Sequence, residues 1–185
     1  MFMIGIVLLV LVVLVVLYVI AVYNSLVLLR ENTKNGWSQI DVQLKRRHDL
    51  IPNLVETAKG YMAHEKDTLE KVIKARQIAI DASTIKDKLA AENMLSTTLR
   101  SLMMLTENYP NLKADAQMIR LQEELTTTEN KITFARQYYN DEVNRYNVAI
   151  QTFPNSVIAS STGFNKGEFF QLDSADERKA PNVKF

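Results

Sequence analysis

An uncharged, apolar run from Phe2 to Tyr23 constrains this chain more than any other feature of its sequence. The first charged residue after it is Arg30. About 20 residues of α-helix, rising roughly 1.5 Å each, cross the ~30 Å hydrocarbon core of a bilayer. Tyr18 and Tyr23 lie toward the end of the run, where aromatic rings suit the membrane interface. The run therefore predicts a single transmembrane helix, whose partner is the lipid bilayer.

Two other interpretations of the run fit less well. A cleaved signal peptide would carry a basic segment, a shorter apolar stretch and an A-x-A-like cleavage site. A buried helix of a soluble protein usually keeps some polar face, and this run has none.

The basic residues around the run predict its orientation. No charged side chain precedes it, whereas Arg30 and Lys34 follow it closely. The positive-inside rule then predicts that the N-terminus lies outside and the rest of the chain lies in the cytoplasm. Long domains can cross the membrane regardless of nearby charge, so the opposite orientation stays open.

Beyond the run, apolar residues recur at the spacing of packed helices. Rows seven residues apart line the seam between helices that pack along their length. Two such rows are Trp37, Leu44, Ile51, Ala58 and Ile40, Arg47, Leu54, Tyr61. Two more are Met118, Leu125, Ile132, Tyr139, Tyr146, Phe153 and Leu121, Thr128, Ala135, Glu142, Ala149. These rows predict a first and a last long helix with coiled-coil-like packing.

Residues 65–107 predict two helices between these long ones, with Ser83 or Thr84 capping the second, although one continuous helix also fits. Four amphipathic helices on short connections predict an all-α fold: an antiparallel four-helix bundle after the transmembrane helix. The expected domains are an anchor with a short connector over 1–29, the bundle over 30–154, and an extension over 155–185. No helical period follows Pro154, and we expect the extension to fold back on the bundle before a flexible tail.

Motifs of chemistry are scarce. The chain has no cysteine, and neither His48 nor His64 follows a Glu at the Glu-x-x-His spacing of di-iron bundles. We find no phosphate-binding loop and no nucleophile elbow. The net charge of +1 gives no electrostatic case for nucleic acid. The sequence thus predicts no catalytic residue, no metal and no cofactor.

The stretch QLKRRHDLIPNLV places Arg47 in the apolar seam, where it needs a carboxylate partner. If the first and last helices are antiparallel and Trp37 lies opposite about Ile150, Arg47 comes within a turn of Glu142. We therefore predict an Arg47–Glu142 layer that fixes the register of the helices. The alternative is that Arg47 reaches out to solvent from the edge of the seam.

The neighbours of Arg47 have other expected roles. Lys45 and Arg46 face outward, toward solvent or toward anionic lipid. Pro52 falls inside a row that keeps its register, which predicts a kink and not an end. It frees the carbonyl of His48, which indicates a structural role for His48 and Asp49.

Two long motifs closely resemble the LemA family of small bacterial membrane proteins. They are YNSLVLLRENTKNGWSQIDVQLKRRHDLIPNLVETAKGYMAHE and TENKITFARQYYNDEVNRYNVAIQTFPNSVIA, the latter followed by GFNKGEFF. The resemblance implies one N-terminal transmembrane helix with its N-terminus outside, a four-helix bundle, and no known catalytic residue. LemA-like proteins are often encoded near a membrane metalloprotease or other envelope proteins, and one relative is associated with making magnetosome membranes.

Together these observations predict a non-enzymatic, single-pass scaffold or assembly protein of the bacterial cell membrane. We expect homo-oligomers or complexes with other membrane proteins, formed by the soluble helices, because Gly5 and Ala21 make no small-xxx-small pair in the anchor. The alternatives are a lipid-binding or membrane-remodelling module and an accessory subunit of a membrane enzyme such as a metalloprotease.

Overall fold

The computed structural model describes residues 2–170, and every regular element within them is a helix. The predicted all-α class is confirmed. The helices are α1 (Phe2–Lys59), α2 (Lys66–Asp81), α3 (Ile85–Thr106), α4 (Pro110–Lys113), α5 (Ala116–Gln151) and α6 (Asn155–Thr162).

Helix α1 is continuous over 58 residues and contains Pro52. The register of the rows predicted that the helix continues past the proline, and it does. The side chains of Phe2 to Ile20 are exposed and apolar, and the first buried one is Val22. Within the described residues, α1 is the one helix long and apolar enough to cross a membrane.

Short polar side chains set where the middle helices begin. Thr84 caps α3: its Oγ1 accepts from the backbone N–H of Asp87 at 3.0 Å and donates to that residue's carboxylate at 2.7 Å. This confirms two helices over residues 65–107, separated at the predicted cap. Asp115 begins α5 in the same way, because its Oδ1 accepts from the N–H groups of Gln117 and Met118 at 2.9 Å.

The helices form two compact units. The first contains residues 2–43 and 130–169, that is, the start of α1, most of α5, α6 and the segment after it. Its helices are antiparallel, and the ring of Trp37 packs edge-on against Tyr139 at 5.6 Å. A Cβ on Gly36 would lie 3.2 Å from the Cα of Tyr139, so the two helices approach closely there. One core cluster consists of Val22, Leu26, Tyr146, Ile150, Ile158, Ala159 and Phe164.

The second unit contains residues 44–129 together with Phe170. Four helical segments build it: the end of α1, α2, α3 and the beginning of α5. Its core is almost wholly aliphatic, with Ile51, Leu54, Leu95 and Leu102 fully buried. The unit supplies the several packed helices that the sequence predicted.

The predicted register between the first and last helices is wrong. Trp37 lies against Tyr139 and not near Ile150, a difference of about three helical turns. The prediction assumed that packing begins at Trp37. In the structure α1 already packs at Val22 and Leu26, close to the anchor, and Ile150 belongs to that cluster.

Two expectations near Pro154 also fail. Phe153 was placed in the buried row, but α5 ends at Gln151 and Phe153 is 79% exposed. No helix was expected after Pro154, yet α6 follows at once and ends at Gly163, whose φ of 77° suits glycine. Eight residues are too few to show a clear helical period. The domain boundaries stay predictions, and the expected tail DSADERKAPNVKF, residues 173–185, lies outside the described residues.

Candidate functional site

Six polar residues meet in the second unit, beside its mostly apolar core. They come from four helices and surround the turn of α1 that precedes Pro52. We call this set the charged layer: Arg47, His48, Arg76, Glu92, Ser96 and Glu129.

Arg47 is at the centre of the charged layer. Its side chain is 4% exposed, and its Nη1 lies 3.3 Å from Glu92 Oε2 and 3.2 Å from Glu129 Oε2. Its Nη2 donates to Ser96 Oγ at 2.7 Å. One guanidinium thus joins α1 to α3 and α5, using the planar set of donors that lysine lacks.

Glu92 is the other buried charge, with a side chain only 1% exposed. Oε2 faces Arg47, and Oε1 lies 2.7 Å from His48 Nε2. An ionised carboxylate only accepts hydrogen bonds, so His48 Nε2 must carry the hydrogen. Both oxygens of Glu92 are therefore engaged, which is the condition for a buried charge to be tolerated.

The charged layer also satisfies the backbone group that Pro52 leaves free. A proline has no N–H, so the carbonyl four residues earlier loses its helical donor. That carbonyl belongs to His48, and Arg76 Nε donates to it at 2.7 Å. Arg76 lies on α2, so the proline creates an attachment point for a second helix.

The geometry is that of a structural network. The layer contains two arginines and two glutamates, so the formal charges balance, and Arg47 and Glu92, the most buried of them, are paired with each other. Within residues 2–170 no group of three or more His, Asp and Glu side chains is placed to hold a metal ion. A buried ionic layer adds little net stability, but removing one partner is costly, which makes it a means of fixing register.

The structure changes the partner predicted for Arg47. Arg47 is buried, so it does not reach out to solvent, and its partners are Glu92 and Glu129. Glu142 is also buried, but its Oε1 accepts from Arg145 on its own helix at 2.9 Å. The corrected register explains the result. Trp37 lies opposite Tyr139, and Arg47 comes ten residues after Trp37 on α1. Glu129 comes ten residues before Tyr139 on the antiparallel α5, so the two side chains lie at the same level.

The other predicted residues lie outside the charged layer. Lys45, Arg46 and Pro52 are exposed. Arg46 Nη2 is 3.7 Å from Glu124 Oε2, in an ion pair about half exposed on each side. Exposed pairs of this kind contribute little to stability.

Sequence reasoning missed Glu92, Ser96 and Glu129. Glu92 could have been found, because it stands three residues after Leu89 and three before Leu95, inside an apolar row of α3. A charge at such a position predicts an opposite charge on a facing helix. Ser96 and Glu129 carry no comparable signal, since each lies at the edge of its row.

A separate set of contacts, in the first unit, fastens residues 164–168 along α5. The hydroxyls of Tyr139 and Tyr146 donate to the carbonyls of Glu168 and Asn165, both at 2.8 Å. The amide of Asn147 donates to the Gly167 carbonyl at 3.0 Å and accepts from its N–H at 2.8 Å. This segment therefore depends on two neutral phenols.

Alkaline pH should loosen that segment. Burial and then the charge of Glu168 raise the pKa of Tyr139 above its usual value. A raised folded-state pKa means that the stabilising contact is fully present below about pH 10 and is lost as pH rises further. Trp37, the only tryptophan, packs on this ring and should be quenched when the phenolate forms. We expect the pH midpoint of Trp37 quenching to lie above the tyrosine midpoint of the unfolded chain. The quenching should be lost in Tyr139→Phe, and an unchanged fluorescence titration in that variant would contradict the assignment.

The first unit also carries an open apolar groove between α1 and α5, with a volume of about 590 Å³. Large apolar side chains line it and are exposed: Val42 is 63%, Phe134 70% and Tyr138 41% accessible. Lys131 is its one charged lining residue. We call this the α1–α5 groove.

Comparison with known proteins identifies the family. The sequence profile of the LemA family matches residues 36–185. Magnetosome protein MamQ 2 of Paramagnetospirillum magneticum (strain AMB-1) is 28% identical over 181 residues, which cover 84% of this chain and 66% of that protein. Protein LemA of Metamycoplasma hominis is 23% identical over 154 residues, covering 83% and 70%. The chain thus spans just under two thirds of the length of the magnetosome relative. The profile covers most of the chain, and the protein belongs to the LemA family.

Proposed function

We propose that this protein is a non-enzymatic, single-pass scaffold of the bacterial cell membrane that assembles with further copies of itself. Residues Phe2 to Tyr23 anchor it, with the N-terminus outside and the helical units in the cytoplasm. The observation that carries the proposal is the α1–α5 groove, where Phe134 is 70% exposed. An apolar surface of this kind commonly marks a protein–protein contact.

The anchor favours a second copy as the occupant. Helix α1 runs without a break from the membrane span to the groove, so Val42 lies about 28 Å beyond Tyr23 in every copy. Two copies in one bilayer therefore present the same apolar side chains at the same height. A two-fold axis normal to the membrane then brings the grooves face to face, which is the commonest symmetry of homo-oligomers.

The charged layer supports a role without catalysis. Its carboxylate and guanidinium use their polar atoms on each other, on His48 and on Ser96, which leaves no obvious group to act on a substrate. A catalytic group needs a site beside it for the reacting atom. The groove, in contrast, is apolar and open, and suits association.

Cross-linking in membranes tests the proposal. Because the chain has no cysteine, single thiols can be introduced without background. Val42→Cys in the full-length protein should form dimers with a short bis-maleimide. Met104→Cys is the matched control, since Met104 is 65% exposed on α3 and lies outside the groove. Equal cross-linking at both positions would contradict a groove-specific contact.

A second variant tests the apolar nature of the contact. Phe134→Asp places a charge in the groove, so it should abolish cross-linked dimers of the Val42→Cys protein. Because Phe134 is exposed, the helical content of the protein should not change. Undiminished cross-linking in this variant would contradict the groove as the contact surface. The magnetosome relatives matched above make the same assay worth running on a second family member.

A further inference from the structure

The chain has a second uncharged stretch, far from the anchor in sequence. No charged residue occurs from Tyr146 to Asn165. The stretch contains the end of α5, the turn at Phe153–Pro154, and α6. Twenty residues without charge are unusual at the surface of a chain in which 23% of residues are charged.

Packing inside the first unit brings this stretch beside the end of the membrane span. Val22 and Leu26 of α1 share a core cluster with Ile150 of α5 and Ile158 of α6. The ring of Tyr23 lies 5.7 Å from that of Phe164. The antiparallel helices pair Trp37 with Tyr139, and fourteen residues along each lead to Tyr23 and Phe153. The turn at Phe153 is therefore level with the last residues of the span.

The surface at this level is apolar. Phe153 is 79% exposed and Val157 is 59% exposed. Leu28 on α1 and Val148 on α5 are 62% and 54% exposed. We call these four residues the basal surface. The other exposed residues of the stretch are Pro154, Gly163 and uncharged Asn, Gln, Ser and Thr residues.

Charges begin together at the upper edge of the basal surface. On α1, on α5 and on the segment after α6, the charged residues nearest the basal surface are Arg30, Arg145 and Lys166. Contacts of these residues or of their neighbours place them at one height. Arg30 lies 5.1 Å from the ring of Phe164, and Tyr146 donates to the carbonyl of Asn165. Arg30 lies about 10 Å beyond Tyr23, whereas each polar layer of a bilayer is about 5–7 Å thick. Charge therefore resumes where the lipid headgroups end.

We propose that the basal surface is a second membrane contact, in which Phe153 and Val157 enter the interfacial layer of the same bilayer that holds α1. The inference rests on the anchoring of α1 in the proposed function. The basal surface continues the apolar surface of the span, and an amphipathic segment lying in the interface gains from burying its apolar side chains there. The protein thereby holds its helices at a fixed tilt and depth in the membrane, which a single helix alone does not set.

Depth-dependent quenching tests the contact in full-length protein reconstituted into phosphatidylcholine vesicles. An environment-sensitive fluorophore is attached to Phe153→Cys, and to Gln137→Cys as a matched site, because Gln137 is exposed on α5 about two turns beyond Tyr146 and outside the groove lining. At Phe153 we expect quenching by spin-labelled lipid and protection from aqueous iodide. At Gln137 we expect the reverse. Equal iodide access at both sites would overturn the proposal.

A label at Val16→Cys separates this test from that of the anchor. Lipid quenching at Val16 without lipid quenching at Phe153 overturns the second contact and leaves the anchor intact. No lipid quenching at either site overturns both. Protection of Phe153 from iodide without lipid quenching also overturns the proposal, because another protein surface would then cover it. Val157→Cys repeats the measurement at a second position and should match Phe153.

Discussion

Glu92→Leu should lower the free energy of unfolding by about 3–5 kcal/mol, the usual result of removing one partner from a buried ion pair. Arg47, 4% exposed, would keep only Glu129 and Ser96, and His48 would lose its acceptor. Chemical denaturation of the full-length protein in detergent, followed by circular dichroism, measures the change. Glu124→Leu is the matched control, because its ion pair with Arg46 also joins α1 to another helix, α5, but is half exposed. We expect that change to stay within roughly 0.5 kcal/mol.

Replacing both buried charges should recover much of the loss. In Arg47→Met/Glu92→Leu no unpaired charge remains in the core, and apolar side chains of similar volume fill the space. The double-mutant cycle should therefore give a coupling of the order of 1–3 kcal/mol. Additive losses would mean that the two side chains act independently, and would contradict the charged layer as a unit.

Arg76→Met should cost about 1–3 kcal/mol of unfolding free energy, because it leaves the His48 carbonyl without a donor. The methionine keeps most of the aliphatic packing, so the loss reports the hydrogen bond. Lys74→Met, at an exposed position of the same helix, is the control and should have little effect.

Pro52→Ala gives this prediction a sharper form. Alanine restores the N–H that bonds the carbonyl four residues earlier, so the His48 carbonyl no longer needs Arg76. Arg76→Met should then cost much less in the Pro52→Ala protein than in the natural one. An equal cost in both would show that Arg76 stabilises the fold by some other contact.

The repeat of apolar residues was enough to predict the class of fold. Rows such as Leu44, Ile51 and Ala58 identify helices because a buried face must recur every three to four residues. Thr84 marks the start of α3 for an equally local reason, because its side chain accepts from a backbone N–H that has no helical partner. The short helix α6 after Pro154 was missed, since eight residues show no clear period.

Pairing between distant helices was not predictable in the same way. Every heptad row offers a match at several registers, so placing Trp37 opposite Ile150 and not opposite Tyr139 broke no local rule. The choice is made by packing that begins at Val22, next to the anchor, where the run of apolar residues hides the seam. The partner of Arg47 followed the register and was wrong for the same reason.

The central claim is that the protein works by self-association through the α1–α5 groove, and that the charged layer is structural. The native mass of the full-length protein in mild detergent tests this claim most directly. We predict a complex of two or more chains for the natural protein and the same complex for Arg47→Met/Glu92→Leu. Phe134→Asp should give a single chain. A monomeric natural protein, or a folded charged-layer variant that no longer assembles, would contradict the account.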